Sequence, residues 1–328
     1  MTSATGRTLA ELGEFAMVSA LTARFAEQFP PGEQVLIGPG DDAALVAVPD
    51  GRVVVSTDLL VDRRHFRRDW ASATDIGHKA AAQNLSDINA MGGRATALTV
   101  GLAAPGGLPV SWALELADGI AAEAATVGAS VVGGDLTGSE ELMVAITVLG
   151  SCAQEPVRRS GARPGDVVAI CGRQGWAAAG LAVLTRGFRS PRVLVEAHRR
   201  PDPPYDAGHR AAAAGATAMI DVSDGLLADV GHVARDSGVA IDIDPACFEV
   251  DEPLRAVGAA LGADPMGFLL TGGDDYALVA TFPDGVPLPE QWQRIGEVLE
   301  PSADGDVSDR VTVGGSAYDG PTGHQHFG

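Results

Sequence analysis

Five times in 328 residues, a short apolar strand or helix delivers aspartate to a turn. The stretches are GPGDDAAL with Asp41 and Asp42, VVVSTDLL with Ser56, Thr57 and Asp58, NLSD with Asp87, VVGGDLTG with Asp135, and MIDVSDGL with Asp221 and Asp224. Each alone reads as a Gly-Asp turn, an Asp cap or a polar strand end. Five sharing one grammar point to carboxylates gathered from distant loops. Asp58 is the sharpest case, because the apolar residues of VVVSTD belong in a core, and an ionised carboxylate beside them needs a partner or a cation.

Around these stretches the pattern is α/β. Strands are predicted at 34–38, 52–61 and 95–103, and again at ASVVGG and LMVAITVLG. Helices are predicted over 75–90 and 109–127. The turn in RSGARPGD opens a second half with an apolar strand, a helix near 176–186 and further strands and helices to about Leu299. At this length two domains are expected, 1–155 and 156–328. The halves echo one another, LSDINAMG in VSDGLLAD and VVGGDLTG in LLTGGDDYAL, which raises the expectation of a duplicated α/β unit.

Composition removes several classes. No apolar run approaches the ~18 residues of a membrane span. The N-terminus shows Leu9, Leu12, Phe15, Val18, Leu21 and Phe25 at helical spacing, not a basic start and an apolar block, so one amphipathic helix and a cytoplasmic protein are expected. Cys152, Cys171 and Cys247 form no CxxC pair, which argues against a zinc site or a disulfide framework. A net charge of −20 disfavours binding to nucleic-acid phosphates. Clustered Asp, Ser and Thr oxygens instead suit a hard cation such as Mg²⁺, the ion that bridges nucleotide phosphates. Glycines 133 and 134 beside Asp135 allow close approach of backbone N–H groups to such phosphates.

Familiar nucleotide and hydrolase machinery is missing from the sequence. The chain has one lysine, Lys79, and neither GxxxxGK[ST] nor an HRD or DFG set. CGRQGWAAAG lacks the GxGxxG spacing and reads as a tight strand-to-helix turn, and no GxSxG elbow supports Ser223 as a nucleophile. His65 lies in the basic stretch DRRHFRRDW, seven residues after Asp58. Arg159 in RRSGARPGD reads either as a surface arginine or as a phosphate clamp.

In their order, GPGDDAAL, STDLLVDRRHF, KAAAQNLSDINAMGG, VVGGDLTG, RSGARPGD, IDVSDGLLADVGH and TGGDDYAL resemble the thiamine-monophosphate kinases, over roughly residues 11 to 300. That family lies in the superfamily of aminoimidazole-ribonucleotide synthetase and selenophosphate synthetase. The resemblance implies a two-domain synthetase-like α/β (α+β) fold. The N-terminal mixed sheet, with its ATP and Mg²⁺ site, would pair in a homodimer, and a C-terminal α/β domain would complete the site. It implies transfer of the γ-phosphoryl group of ATP to thiamine monophosphate, with several Mg²⁺ ions. Asp42, Thr57, Asp58, Asp87, Asp135, Asp221 and Asp224 would then hold metal, with Ser56 as a weaker ligand. Asp58, Asp87 and Asp135 would be central to catalysis. Gly134, Asp135, Arg159 and Ser223 would meet the nucleotide, and His65, Asp274 and His324 the thiamine substrate. Two positions depart from the family pattern: Asp274 stands where Glu is usual, and His324 where an aromatic helps cover the thiamine. Another superfamily synthetase and a non-catalytic Mg²⁺–nucleotide module are the alternative readings.

Overall fold

The computed structural model describes residues 6–39, 43–48, 51–301 and 310–324. The chain forms two compact units, Met1–Ile88 with Arg94–Ser151, and Asn89–Gly93 with Cys152–Gly328.

The first unit opens with two short helices. Thr8 and Glu11 form a capping box at the start of α1 (Leu9–Leu12). Gly13, at φ 84°, then separates α1 from α2 (Glu14–Gln28). The single N-terminal helix expected from the apolar spacing is therefore broken, because a left-handed residue cannot continue a right-handed helix. Leu9 and Met17 are buried, whereas Phe15 is exposed. A small hairpin follows, β1 (Val35–Ile37) with β2 (Leu45–Val46).

The main sheet of this unit contains β3 (Val54–Val61), β4 (Arg94–Ala104), β5 (Ser130–Gly138) and β6 (Met143–Ser151) in the order β3-β6-β4-β5. It is mixed: β6 runs antiparallel to β3 and β4, and β4 runs parallel to β5. Strands β3 and β5 are thus opposite edges. Helix α3 (Ala73–Ala90) joins β3 to β4, and α4 (Val110–Thr126) joins β4 to β5. The helices touch backbone to backbone. A Cβ on Gly77 would lie 2.2 Å from the Leu116 carbonyl oxygen, and one on Gly119 would lie 2.2 Å from that of Thr74. His78 Nδ1 and Glu123 Oε2, 2.8 Å apart, pair these same helices.

The second unit contains a seven-stranded sheet. Its strands are β7 (Val167–Cys171), β8 (Ala218–Asp221), β9 (Ala240–Ile243), β10 (Leu278–Phe282), β11 (Gln293–Leu299), β12 (Val311–Val313) and β13 (Ser316–Ala317), in the order β13-β12-β9-β11-β7-β10-β8. All pairings are antiparallel except β12 with β9. Its helices are α5 (Trp176–Thr185), α6 (Arg192–Arg199), α7 (Ala207–Ala213), α8 (Leu226–Ser237), α9 (Glu252–Leu261) and α10 (Pro265–Thr271). Leu226, Leu227, Val230, Val233 and Ala234 of α8 join Val168, Ile170, Ile220 and Val279 of the sheet in one core. A second cluster contains Ala207 and Ala211 of α7 with Phe282 and Trp292, whose rings meet edge to face at 5.5 Å.

The echoed motifs are not equivalent in structure. LSD lies inside α3 and VSD at the turn after β8; VVGGDLTG is strand β5, whereas LLTGGDDYAL runs from α10 through a turn into β10.

Candidate active site

In the first unit, alternation along β3 sends Ser56 and Asp58 to one face and Thr57 to the other. Ser56 Oγ donates to Asp87 Oδ2 at 2.5 Å, joining β3 to α3. One turn earlier on α3, Asn84 Oδ1 accepts the backbone N–H of Asp58 at 3.0 Å, while its Nδ2 donates to the Ala80 carbonyl. Asn84 is wholly buried and Asp87 half-buried. The group Ser56, Asp58 and Asp87 is therefore held by a polar helix face. The Thr57 hydroxyl instead lies 2.7 Å from that of Thr147 on the opposite face of the sheet.

Asp135 is elsewhere in this unit. It lies on β5 in register with Gly101, while Asp58 lies on β3 in register with Ile146. Three interstrand steps separate these edges, about 14 Å at the usual strand spacing. Gly134 precedes it in register with Val100, where a Cβ would fall 2.0 Å from the Val100 carbonyl oxygen, so only glycine fits. Gly133, Gly134 and Asp135 line a cavity of ≈ 790 Å³ whose remaining wall is mostly apolar, including Leu21 and Phe25 of α2 and Leu116 and Ile120 of α4.

At the far end of β3 the chain turns through Arg63, at φ 65°, and His65 Nδ1 accepts the Val61 N–H at 3.0 Å. That bond places the proton of the neutral ring on Nε2. Arg63, Arg67 and Arg68 surround an open pocket beside this turn, with Arg67 paired to Asp69 and Arg68 to Asp62.

In the second unit, β8 ends at the buried Asp221, and the chain turns through Val222, Ser223, Asp224 and Gly225 into α8. Asp229, buried on the first turns of α8, accepts the N–H groups of Ser223, Asp224 and Gly225 at Oδ2, at 3.0, 3.0 and 3.1 Å. Burial pushes its carboxyl up to about 7, against the opposing pull of those three donors. The turn carbonyls are also used: Ser223 O accepts the Asp274 N–H and Asp224 O accepts the His324 N–H, both at 2.9 Å. Asp274 sits at φ 67°, and its Oδ1 accepts from the Tyr276 hydroxyl at 3.2 Å. Ser223, Asp224, Asp274 and His324 are thus brought together through the backbone.

Arg159 is exposed, in a loop tied to the other end of α8, where Ser237 Oγ donates to the Arg159 carbonyl and accepts from Gly161 and Ala162. Its charge acts on His232, in the middle of α8. Burial foremost, then Arg235 and Arg159, hold that imidazole below the usual histidine range, while Asp224 works in the opposite direction.

Beside the turn, the next residue after Asp274 is also buried. Asp275 Oδ1 accepts the Ala177 N–H at the start of α5, and burial pushes this carboxyl up to about 7. Asp42 lies outside the described residues.

Sequence reasoning missed Asn84 and Asp229. The signal for Asn84 was its place three residues before Asp87, on the same helical face. For Asp229 it was an acidic residue in the first turns of a helix behind a Ser-Asp-Gly turn.

The donors are oxygens of Ser and Asp. Among the described residues, no group of three His, Cys, Asp or Glu side chains is placed to hold a metal ion. Such a set fits Mg²⁺, which keeps its waters and takes one or two carboxylates plus substrate phosphates, and does not fit a protein cage for a transition metal. No helix among these residues is long and apolar enough to cross a membrane.

Residues 40–152 match the family described as AIR synthase related protein, N-terminal domain. The chain is 47% identical to the thiamine-monophosphate kinase of Mycobacterium tuberculosis, over 98% of its own length and 93% of the relative's. The solved thiamine-monophosphate kinase of Stenotrophomonas maltophilia shares 32% identity at a TM-score of 0.78, covering 93% of this chain and 98% of that one. The structure of AaThiL complexed with AMPPCP and TMP shares 30% identity at a TM-score of 0.78, covering 97% and 98%. The chain belongs to the thiamine-monophosphate kinase family.

Proposed function

We propose that the chain transfers the γ-phosphoryl group of ATP to thiamine monophosphate, giving thiamine diphosphate, in a Mg²⁺-dependent reaction. The observation that carries this reading is the oxygen-donor group of Ser56, Asp58 and Asp87 on β3 and α3. A relative of known structure is complexed with AMPPCP and TMP, the two ligand classes this reaction joins.

The acceptor phosphate oxygen is already ionised at neutral pH, so the reaction needs no strong general base. The difficulty is bringing two anions together. Bound Mg²⁺ would supply charge neutralisation and in-line orientation, as in phosphoryl transfer generally. On this chain, Asp42, Asp58, Asp87, Asp135, Asp221 and Asp224 would hold the ions, with Ser56 as a weaker ligand. Thr57 would contribute through its backbone, because its hydroxyl pairs with Thr147. Gly134 and Ser223 would meet the nucleotide phosphates closely, and Arg159 would clamp them. His65 would donate from Nε2 to the acceptor, with Asp274 and His324 at the thiamine end.

The same reading includes a homodimer. Val53, Val55 and Leu59 leave apolar side chains exposed on β3 and just before it, and both edges of the four-stranded sheet lack a neighbouring strand among the described residues. Pairing the sheets of two copies would cover these edges. Pairing β5 of one copy with β3 of the other would set the Asp135 strand beside the Asp58 strand, which β6 and β4 separate within one copy.

Purified protein incubated with ATP and Mg²⁺ tests the activity. Thiamine diphosphate is expected from thiamine monophosphate and not from thiamine. Product from thiamine alone would overturn the assignment, and nucleotide binding without product would favour the non-catalytic module.

A further inference from the structure

The Ser223–Asp224–Gly225 turn is built around a single oxygen atom. Three successive backbone N–H groups converge on Asp229 Oδ2 within 3.0–3.1 Å. Successive N–H groups turned to one side make a concave cradle for an anion. Here the chain fills that cradle with its own carboxylate, 3% exposed, from one turn into α8. The three N–H groups point inward, and the side chain of Ser223 is left exposed and that of Asp224 half-exposed.

The outward carbonyls carry two further residues. Asp274 hangs by its N–H from Ser223 O, and His324 hangs by its N–H from Asp224 O. Gly225, at φ 141°, and Gly273 pack so closely that a Cβ on either would strike backbone: Thr271 O at 2.5 Å for Gly225, Ser223 O at 2.0 Å for Gly273. Three chain segments therefore take their register from one turn.

We infer that Asp229 is a positioning residue for phosphoryl transfer, fixing through one turn both Ser223 and Asp224 on the metal–nucleotide side and Asp274 and His324 on the acceptor side. This rests on the kinase reading above. Asp229 itself touches neither substrate; it acts by holding the turn. The role belongs to the acceptor oxygen, so asparagine, which keeps one carbonyl oxygen in the same place, preserves it, and alanine does not.

The test compares full-length wild type with Asp229→Asn, Asp229→Ala and Asp229→Glu. Hydrogen exchange at the amides of residues 223–225 reports the turn independently of activity, and kcat and both KM values report the site. For Asp229→Ala we expect lost amide protection, kcat lower by roughly tenfold to a hundredfold from misplaced groups, and a raised KM for thiamine monophosphate. Asp229→Asn is expected to keep amide protection and stay within about threefold of wild type, since its retained oxygen still accepts. Asp229→Glu, one methylene longer, is expected to fall between them and serves if the alanine variant fails to fold.

Wild-type protection and kinetics in the alanine or the glutamate variant would overturn the inference. So would an asparagine variant as slow as alanine with its amides still protected, which would assign the effect to charge. Absence of thiamine diphosphate from wild type overturns the kinase reading instead, and the exchange data still decide whether Asp229 holds the turn.

Discussion

The Ser56 hydroxyl donates to Asp87 Oδ2 at 2.5 Å, so an edge strand and the helix that follows it meet at a carboxylate. Asp87 thus occupies the last turns of α3 as part of a polar face with Asn84, under the strand that carries Asp58. Asp87→Asn keeps the shape and removes the charge. Turnover at saturating Mg²⁺ is expected to fall at least about a hundredfold, the scale on which electrostatic help in such sites is lost. The circular-dichroism spectrum should be unchanged, and near-normal turnover would mean that Asp87 does not serve the metal.

Because Asp135 lies on edge strand β5 and Asp87 is bound to Ser56 on the opposite edge strand β3, a site shared between copies makes a separate prediction. Asp87→Asn and Asp135→Asn, each inactive alone, are mixed and allowed to exchange subunits. Random exchange in a two-fold dimer leaves about a quarter of the sites intact, so about a quarter of wild-type activity should return. No recovery despite exchange, measured with differently tagged chains, would place each site within one copy.

Asp274 adopts the left-handed region, at φ 67°, which Asp tolerates better than most side chains. The backbone thus offers a local reason for Asp where the family pattern has Glu. Asp274→Glu should lower Tm slightly. It should change the KM for thiamine monophosphate by about tenfold or less, equivalent to about 1.4 kcal/mol, and leave that for ATP unchanged. A shift confined to ATP would put Asp274 at the wrong end of the site.

Asp275 supplies a pH dependence. Its carboxyl is raised from 3.8 to about 7, chiefly by burial. The folded state therefore keeps a proton that the unfolded chain has lost, and the stabilisation from this group is full below about 4 and declines as pH rises toward 7. One proton corresponds to a slope of about 1.4 kcal/mol per pH unit across that window. Asp275→Asn cannot titrate, so the stability difference between wild type and variant, followed by urea unfolding at several pH values, should move against wild type as pH rises. A difference independent of pH would show that Asp275 is ionised throughout.

How much of this was legible in the sequence depended on the range of the interaction. Strands β3, β4 and β6 and helices α3 and α4 followed from period-two and period-3.6 patterning, which are local properties. The aspartates announced themselves through glycines and apolar neighbours, again locally. The break at Gly13 was missed because the apolar spacing runs straight through it, and periodicity does not register the sign of φ. The separation of Asp135 from Asp58 depends on strand order, which no single segment encodes. Asn84 and Asp229 were missed for another reason: each accepts from backbone N–H groups, that of Asp58 for Asn84 and those of the adjacent Ser223–Gly225 turn for Asp229, and residue types alone do not show which N–H a side chain will meet.

The contact of Gly77 with Leu116 and of Gly119 with Thr74 has a consequence for how this protein tolerates change. Helix α3, and Asp87 with it, is located by main-chain atoms, which every sequence possesses. A single methyl group at either glycine would meet the main chain of the other helix and shift α3, carrying Asp87 away from Ser56. The placement of the reactive group thus depends on two glycines that bring no side chain of their own.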